Sequence, residues 1–126
     1  MKMRGWKLLI EQEVIMPKWK VCIDRPFSNC ERIYPIQQRK IRALIDYLSG
    51  NSNVELITVF GSSVTNMCHI DSDVDIYVKL NKPEGNLVHK YFDFVFDLWT
   101  NYTVDDRLKY EISKKGVIVY ERNSSG

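Results

Sequence analysis

Asp73 and Asp75 stand two residues apart at the start of an alternating stretch, Asp73-Val74-Asp75-Ile76-Tyr77-Val78. On a β-strand a two-residue step returns both carboxylates to one face, about 6–7 Å apart along the chain. Like charges so placed repel each other and favour a hard divalent cation with oxygen ligands, such as Mg2+. Upstream, Gly61-Ser62-Ser63 follows the apolar run Val54–Phe60. Glycine lets the backbone come close to a phosphate, and the two serines add hydroxyl donors. A helix starting at such a turn offers unpaired N–H groups and a partial positive charge to an anion. A phosphate cradle followed by metal-binding carboxylates describes metal-assisted phosphoryl or nucleotidyl transfer.

These groups need a strand over Val54–Phe60, a turn, a short helix over Ser63–Cys68, and a second strand over Asp73–Leu80. On the second strand Val74, Ile76, Val78 and Leu80 face a core, while Asp73, Asp75, Tyr77 and Lys79 face the candidate site. Before them, Ile36–Ser49 reads as a helix. Ile41, Leu44, Ile45 and Leu48 form its apolar stripe, Gly50 stops it, and Gln38, Arg39, Lys40, Arg42 and Asp46 point outward. Trp19–Asp24 alternates like a half-buried strand, and Arg25–Pro35 reads as a loop or hairpin tip. Residues 1–16 fit either a strand or a helical turn. After the second site strand, Asn81–Lys90 is short for a parallel crossover, so a hairpin-like or very compact link is expected. Tyr91–Thr100 alternates as a strand with Asp93 and Asp97 on one face, so parity does not choose between them. Thr103–Lys115 reads as a helix opened by a Thr103/Asp106 variant of the capping box and stopped by Gly116. Val117–Tyr120 reads as a last short strand, and 123–126 as a tail.

The chain of 126 residues, 44% hydrophobic, suits one globular domain with a single core. Cys22, Cys30 and Cys68 form no C-x-x-C pair, which favours reduced thiols and a cytoplasmic setting. Glu11 and Glu13 interrupt any apolar region of a signal sequence, and no apolar run approaches the ~20 residues of a membrane span. Cys68 and His69 match no zinc spacing, and both histidines, His69 and His89, read as surface residues. Trp99 shares a face with Asp97 and is the tryptophan best placed to stack on a base. Residues 1–42 carry 10 Lys/Arg against 4 Asp/Glu, while the rest of the chain is net acidic. The basic third has no long Lys/Arg run, so it reads as a packing or partner surface and not as a grip on nucleic acid.

The order Gly61-Ser62, a variable segment, then Ser72-Asp73-Val74-Asp75-Ile76 resembles the nucleotidyltransferase superfamily. That superfamily includes DNA polymerase beta, the aminoglycoside nucleotidyltransferases and the small "minimal nucleotidyltransferase" (MNT-type) proteins. The likeness covers roughly Ile36–Glu121. It implies a single domain over 1–126, with 1–35 as an N-terminal extension. The implied fold is α+β, a twisted mixed sheet of about four to five strands with helices packed mainly on one face. The implied reaction transfers a nucleoside monophosphate, AMP from ATP, to a hydroxyl acceptor with release of pyrophosphate. By resemblance Gly61, Ser62 and Ser63 bind the triphosphate, and Asp73, Asp75 and a third carboxylate hold two Mg2+ ions. In the family the third aspartate precedes a loop, a helix, a glycine and a short apolar strand. Counting back from Gly116 and Tyr120 selects Asp97 as metal ligand and general base.

The resemblance also implies an alternative from another class. The chain would then be a non-catalytic, antitoxin-type module that pairs with a helical HEPN-type toxin or with itself. Two departures stand out. Small members often carry Arg-Gly where this chain has Thr65-Asn66, and they usually have a longer helix where this chain has Asn81–Lys90.

Overall fold

The computed structural model describes residues 17–122. The readings for residues 1–16 and for the tail 123–126 lie outside the described residues.

Helix α1 spans Pro35–Leu48, with proline in its first turn, where a missing N–H costs nothing. Its stripe of Ile41, Leu44, Ile45 and Leu48 is buried, as the 3.6-residue period requires. Four strands form one mixed sheet: β1 (Val54–Phe60), β2 (Val74–Leu80), β3 (Phe96–Thr100) and β4 (Val117–Glu121). Their spatial order is β3-β2-β1-β4. β1 is antiparallel to both β2 and β4, and β2 is parallel to β3. This is the α+β, mixed-sheet architecture expected from the sequence. The stripe of α1 packs on Ile57 and Val59 of β1, Val74, Ile76 and Val78 of β2, and Val117 and Val119 of β4. Arg122, just beyond β4, donates to the carbonyls of Val54, Ser49 and Asn51, each at 3.0 Å, and so closes the chain onto the end of α1.

Helix α2 (Asp106–Lys115) meets the sheet from the other side, so the helices do not lie mainly on one face as expected. A Cβ on Gly116 would run into the Thr58 methyl and the Ile112 carbonyl, both at 2.5 Å. Thr58 lies between Ile57 and Val59 on β1, so its side chain points away from α1. The expected capping box at Thr103 is not what opens this helix. Asp105 is the cap, accepting from the Leu108 N–H at 2.8 Å. Thr103 instead accepts from the Thr100 N–H at 2.9 Å and closes the end of β3.

Four local expectations are corrected. Trp19–Asp24 forms no strand. Its burial alternates, with Trp19, Val21 and Ile23 half-buried, but its hydrogen bonds go elsewhere. The Cys22 N–H donates to Gln38 Oε1 (2.7 Å), and the Lys20 carbonyl accepts from Gln38 Nε2 (2.9 Å). Gln38 is therefore fully buried and not outward, because the chain before α1 crosses its first turns. Tyr91–Val95 is also not strand. Phe92, Phe94 and Phe96 pack ring against ring, with centroids 5.5 to 6.0 Å apart. Because β3 starts only at Phe96, the link from β2 runs from Asn81 to Val95. That is long enough for a parallel crossover without a helix, so the hairpin-like link is replaced by a compact irregular one. Among the described residues no helix is long and apolar enough to cross a membrane.

Candidate active site

β1 ends at Phe60, whose cross-strand partner on β2 is Asp75. The next residue, Gly61, has φ +76°, and a Cβ there would collide with Asp75 Oδ2. Glycine is needed here twice over, for the left-handed backbone and for the close approach. The chain then makes a single 3-10 turn over Gly61–Val64 and stops. The short helix expected over Ser63–Cys68 is absent. Thr65 ends the turn, donating to the Ser62 carbonyl at 3.1 Å and accepting from the Met67 N–H at 3.1 Å. So short a turn has little macrodipole, and any phosphate there would meet backbone N–H groups and the Ser62 hydroxyl. Ser62 is half-buried, and among the described residues its hydroxyl has no hydrogen-bond partner. Ser63 is drawn away from the site: it is fully buried, its hydroxyl accepts from Gln37 Nε2 at 3.1 Å, and its carbonyl accepts from the Tyr34 N–H at 2.8 Å.

The packing of Gly61 on Asp75 can be tested directly. Gly61→Ala is expected to cost about 1–2 kcal/mol from the left-handed backbone alone. It should also push Asp75 aside and weaken Mn2+ binding. Thermal melting and Mn2+ calorimetry should move together, and a variant unchanged in both would remove the close approach as a constraint.

Asp73 lies just before β2 and is exposed, and Asp75 is half-buried within the strand. Across the parallel ladder Asp75 pairs with Asp97 of β3. Neighbouring strands lie about 4.8 Å apart, so these two carboxylates share one face at adjacent positions. Their proximity is visible in the acidity of Asp75. Burial, then the charges of Asp97, Asp73 and Glu111, raise its pKa from 3.8 to about 6. Asp93 lies in the bend before β3, in a groove of about 260 Å3 that also touches Arg39, Ile70, Asp73 and Val95. It is four residues from the Asp75 partner. Further along the face, burial raises the pKa of Tyr77. Trp99, the ladder partner of Tyr77, tilts against Phe60 with centroids 5.5 Å apart.

Among the described residues, no three His, Cys, Asp or Glu side chains converge on one point as a ready-made cage. The donor set nevertheless suits a hard dication: it is all oxygen and mutually repelling, and Asp73 and Asp97 are exposed enough to turn without disturbing packing. Two residues near these groups were not singled out by sequence reasoning. Glu111 on α2 adds to the charge around Asp75. Gln37 on α1 donates both to Ser63 and to the Ser72 carbonyl, the latter at 3.2 Å. Neither had a local signal, because each matters through contacts distant in sequence.

A family profile described as "Polymerase beta, Nucleotidyltransferase" matches residues 42–125. No curated protein matches the chain. Among solved structures, a crystal structure of a mutant toxin–antitoxin pair, MntA-HpeT, is similar with a TM-score of 0.54 and 22% identity. The match covers 68% of this chain and 73% of that one. At that identity the likeness speaks for a shared fold.

Proposed function

This chain belongs to the Polymerase beta, Nucleotidyltransferase family, and from that premise we propose that it transfers a nucleoside monophosphate, AMP from ATP, to a hydroxyl acceptor. Asp73, Asp75 and Asp97 would hold Mg2+. Metal ions bound there would supply charge neutralisation and Lewis acidity for the phosphoryl group being transferred. The remaining work belongs to the chain's own residues. The Gly61 turn and the Ser62 hydroxyl hold the triphosphate tail. Gly61, packed on Asp75, keeps that tail beside the carboxylates. Asp97, exposed at the strand edge, accepts the proton of the attacking hydroxyl. Trp99 and Tyr77 offer an aromatic surface to the base. The observation that supports this reading best is the parallel pairing of Asp75 with Asp97 directly beside the Gly61 turn.

The test is incubation with ATP labelled in the α-phosphate, Mg2+ and candidate acceptors, read as label transfer with pyrophosphate release. Within that test Ser62→Ala separates the tail from the rest of the nucleotide. A charge-assisted hydrogen bond to phosphate contributes about 1.5–3 kcal/mol. The variant should therefore bind ATP more weakly by that amount and AMP almost unchanged. Equal losses for ATP and AMP would mean that Ser62 does not read the tail.

A second reading is that the chain acts chiefly by pairing with a protein, as a non-catalytic or antitoxin-type module with a helical HEPN-type partner. Its support is the exposure of Ile70 (72%) and Val95 (63%) in the groove beside Asp73, together with the similar structure's origin in a toxin–antitoxin pair. Stable association with such a partner that survives Asp73→Asn, with no label transfer by the wild type, would favour it.

A further inference from the structure

Helix α1 begins with two buried glutamines where an apolar stripe would be cheaper, and one of them touches both halves of the candidate site. Gln37 is 0% exposed. Its Nε2 donates to Ser63 Oγ at 3.1 Å and to the Ser72 carbonyl at 3.2 Å, with the Asp73 carbonyl at 3.4 Å sharing the same N–H groups. Its Oε1 is buried and has no partner among the described residues. Turning the amide over would point that oxygen at two carbonyls, so the hydrogen-bond pattern fixes its orientation. A buried amide whose oxygen has no partner gives up part of the stability its donors supply. Such a breach of core rules is expected where a structure gives up stability for position.

The Gly61 turn is also held to β2 at Asp75, through the Phe60–Asp75 pairing and the packing of Gly61, but Gln37 ties it to the Ser72–Asp73 end. The Gly61–Val64 turn and the start of β2 are separated by an irregular stretch containing exposed Asn66, Met67, His69, Ile70 and Asp71. Nothing regular in that stretch sets how far Ser62 stands from Asp73. We propose that Gln37 is a positioning residue that clamps the serine turn to the Ser72–Asp73 backbone, and so sets the spacing between the tail-binding and metal-binding groups. This rests on the nucleotidyl-transfer reading of the site and deepens it. A displacement of about 1 Å in such a constellation is enough to cost on the order of a hundredfold in rate.

The experiment compares wild type, Gln37→Leu and Ser63→Ala, using Mn2+ alone as the probe in calorimetry and hydrogen exchange as the local readout. Gln37→Leu should weaken Mn2+ binding by about tenfold, the low end for loss of a supporting contact to a metal site. Amides of residues 69–74 should exchange faster, and the melting temperature should fall as the Ser63 hydroxyl and the Ser72 carbonyl lose their donor, so Mn2+ affinity is the deciding readout. Ser63→Ala keeps the glutamine and removes one of its acceptors. It should shift Mn2+ affinity and exchange in the same direction by less, and it serves if Gln37→Leu does not fold. A purely structural role would lower the melting temperature and leave Mn2+ affinity alone. Equal Mn2+ affinity in wild type and in the folded variants overturns the positioning role by itself. Failure of the wild type to bind Mn2+ overturns the proposed function, and this role with it.

Discussion

Asp75→Asn is expected to end nucleotidyl transfer and at the same time to stabilise the metal-free protein at neutral pH. The first effect follows from the several kilocalories of transition-state stabilisation that a bound metal supplies. At about 1.4 kcal/mol per decade, that is roughly a thousandfold in rate or more. The second follows from the acidity of Asp75. Its folded-state pKa is raised from 3.8 to about 6 by burial and by the charges of Asp97, Asp73 and Glu111. The folded state then holds this proton more tightly than the unfolded one. The resulting stability is present in full below about pH 4 and is lost as the pH rises through about 6. Because Asp75 is only half-buried, solvent moderates the size of the effect but not its sign. Melting in chelator at pH 5 and pH 8 should show the wild type losing stability at the higher pH. Asp75→Asn should lose less, and added Mg2+ should restore the wild type alone. An Asp75→Asn variant that melts below the wild type at pH 8 without metal would contradict the account.

Asp97→Asn should likewise abolish transfer, by about a thousandfold or more, while keeping the fold and much of the nucleotide binding. Asp93→Asn should cost little. The two aspartates have the same parity and look equivalent along Tyr91–Thr100. They separate in the fold because only Asp97 lies within β3, opposite Asp75, while Asp93 lies in the bend beyond its start. Label transfer by the two variants under identical Mg2+ and ATP decides between them. Loss of transfer in Asp93→Asn with retention in Asp97→Asn would shift the assignment by four residues.

The parts of the fold legible in the sequence were those set by local periodicity. The stripe Ile41, Leu44, Ile45 and Leu48 marks α1, and the alternation from Val74 to Leu80 marks β2 and the face that carries Asp75. The Gly61-Ser62 turn was legible as a type of residue at a strand end, but its 3-10 form was not, because Thr65 and Met67 close it with side-chain bonds. Phe92-Phe94-Phe96 alternates as a strand does, yet its rings pack on one another, and a two-residue burial period describes an extended loop equally well. Gln38 reads as solvent-facing on a helical wheel, and Gln37 beside it carries no signal of its own. What buries them is the chain from Lys20 to Cys30 and the Ser63–Asp73 region, and no local pattern reports such distant partners. The parallel pairing of β2 with β3 was missed for a related reason: the length of the link depended on where β3 begins.

The strand order carries one more consequence, for the way the chain reaches this state. β1 ends at Phe60, and its partner on one side, β4, begins only at Val117. Until that late segment is available, a strand destined for the interior has an open edge with Ile57 and Val59 beside it. Pairings between segments so far apart in sequence pay their loop-closure entropy before they are rewarded, which slows the search. The three carbonyls gathered by Arg122 then act as a latch that shuts late, on a nascent chain whose middle is its last part to be sealed.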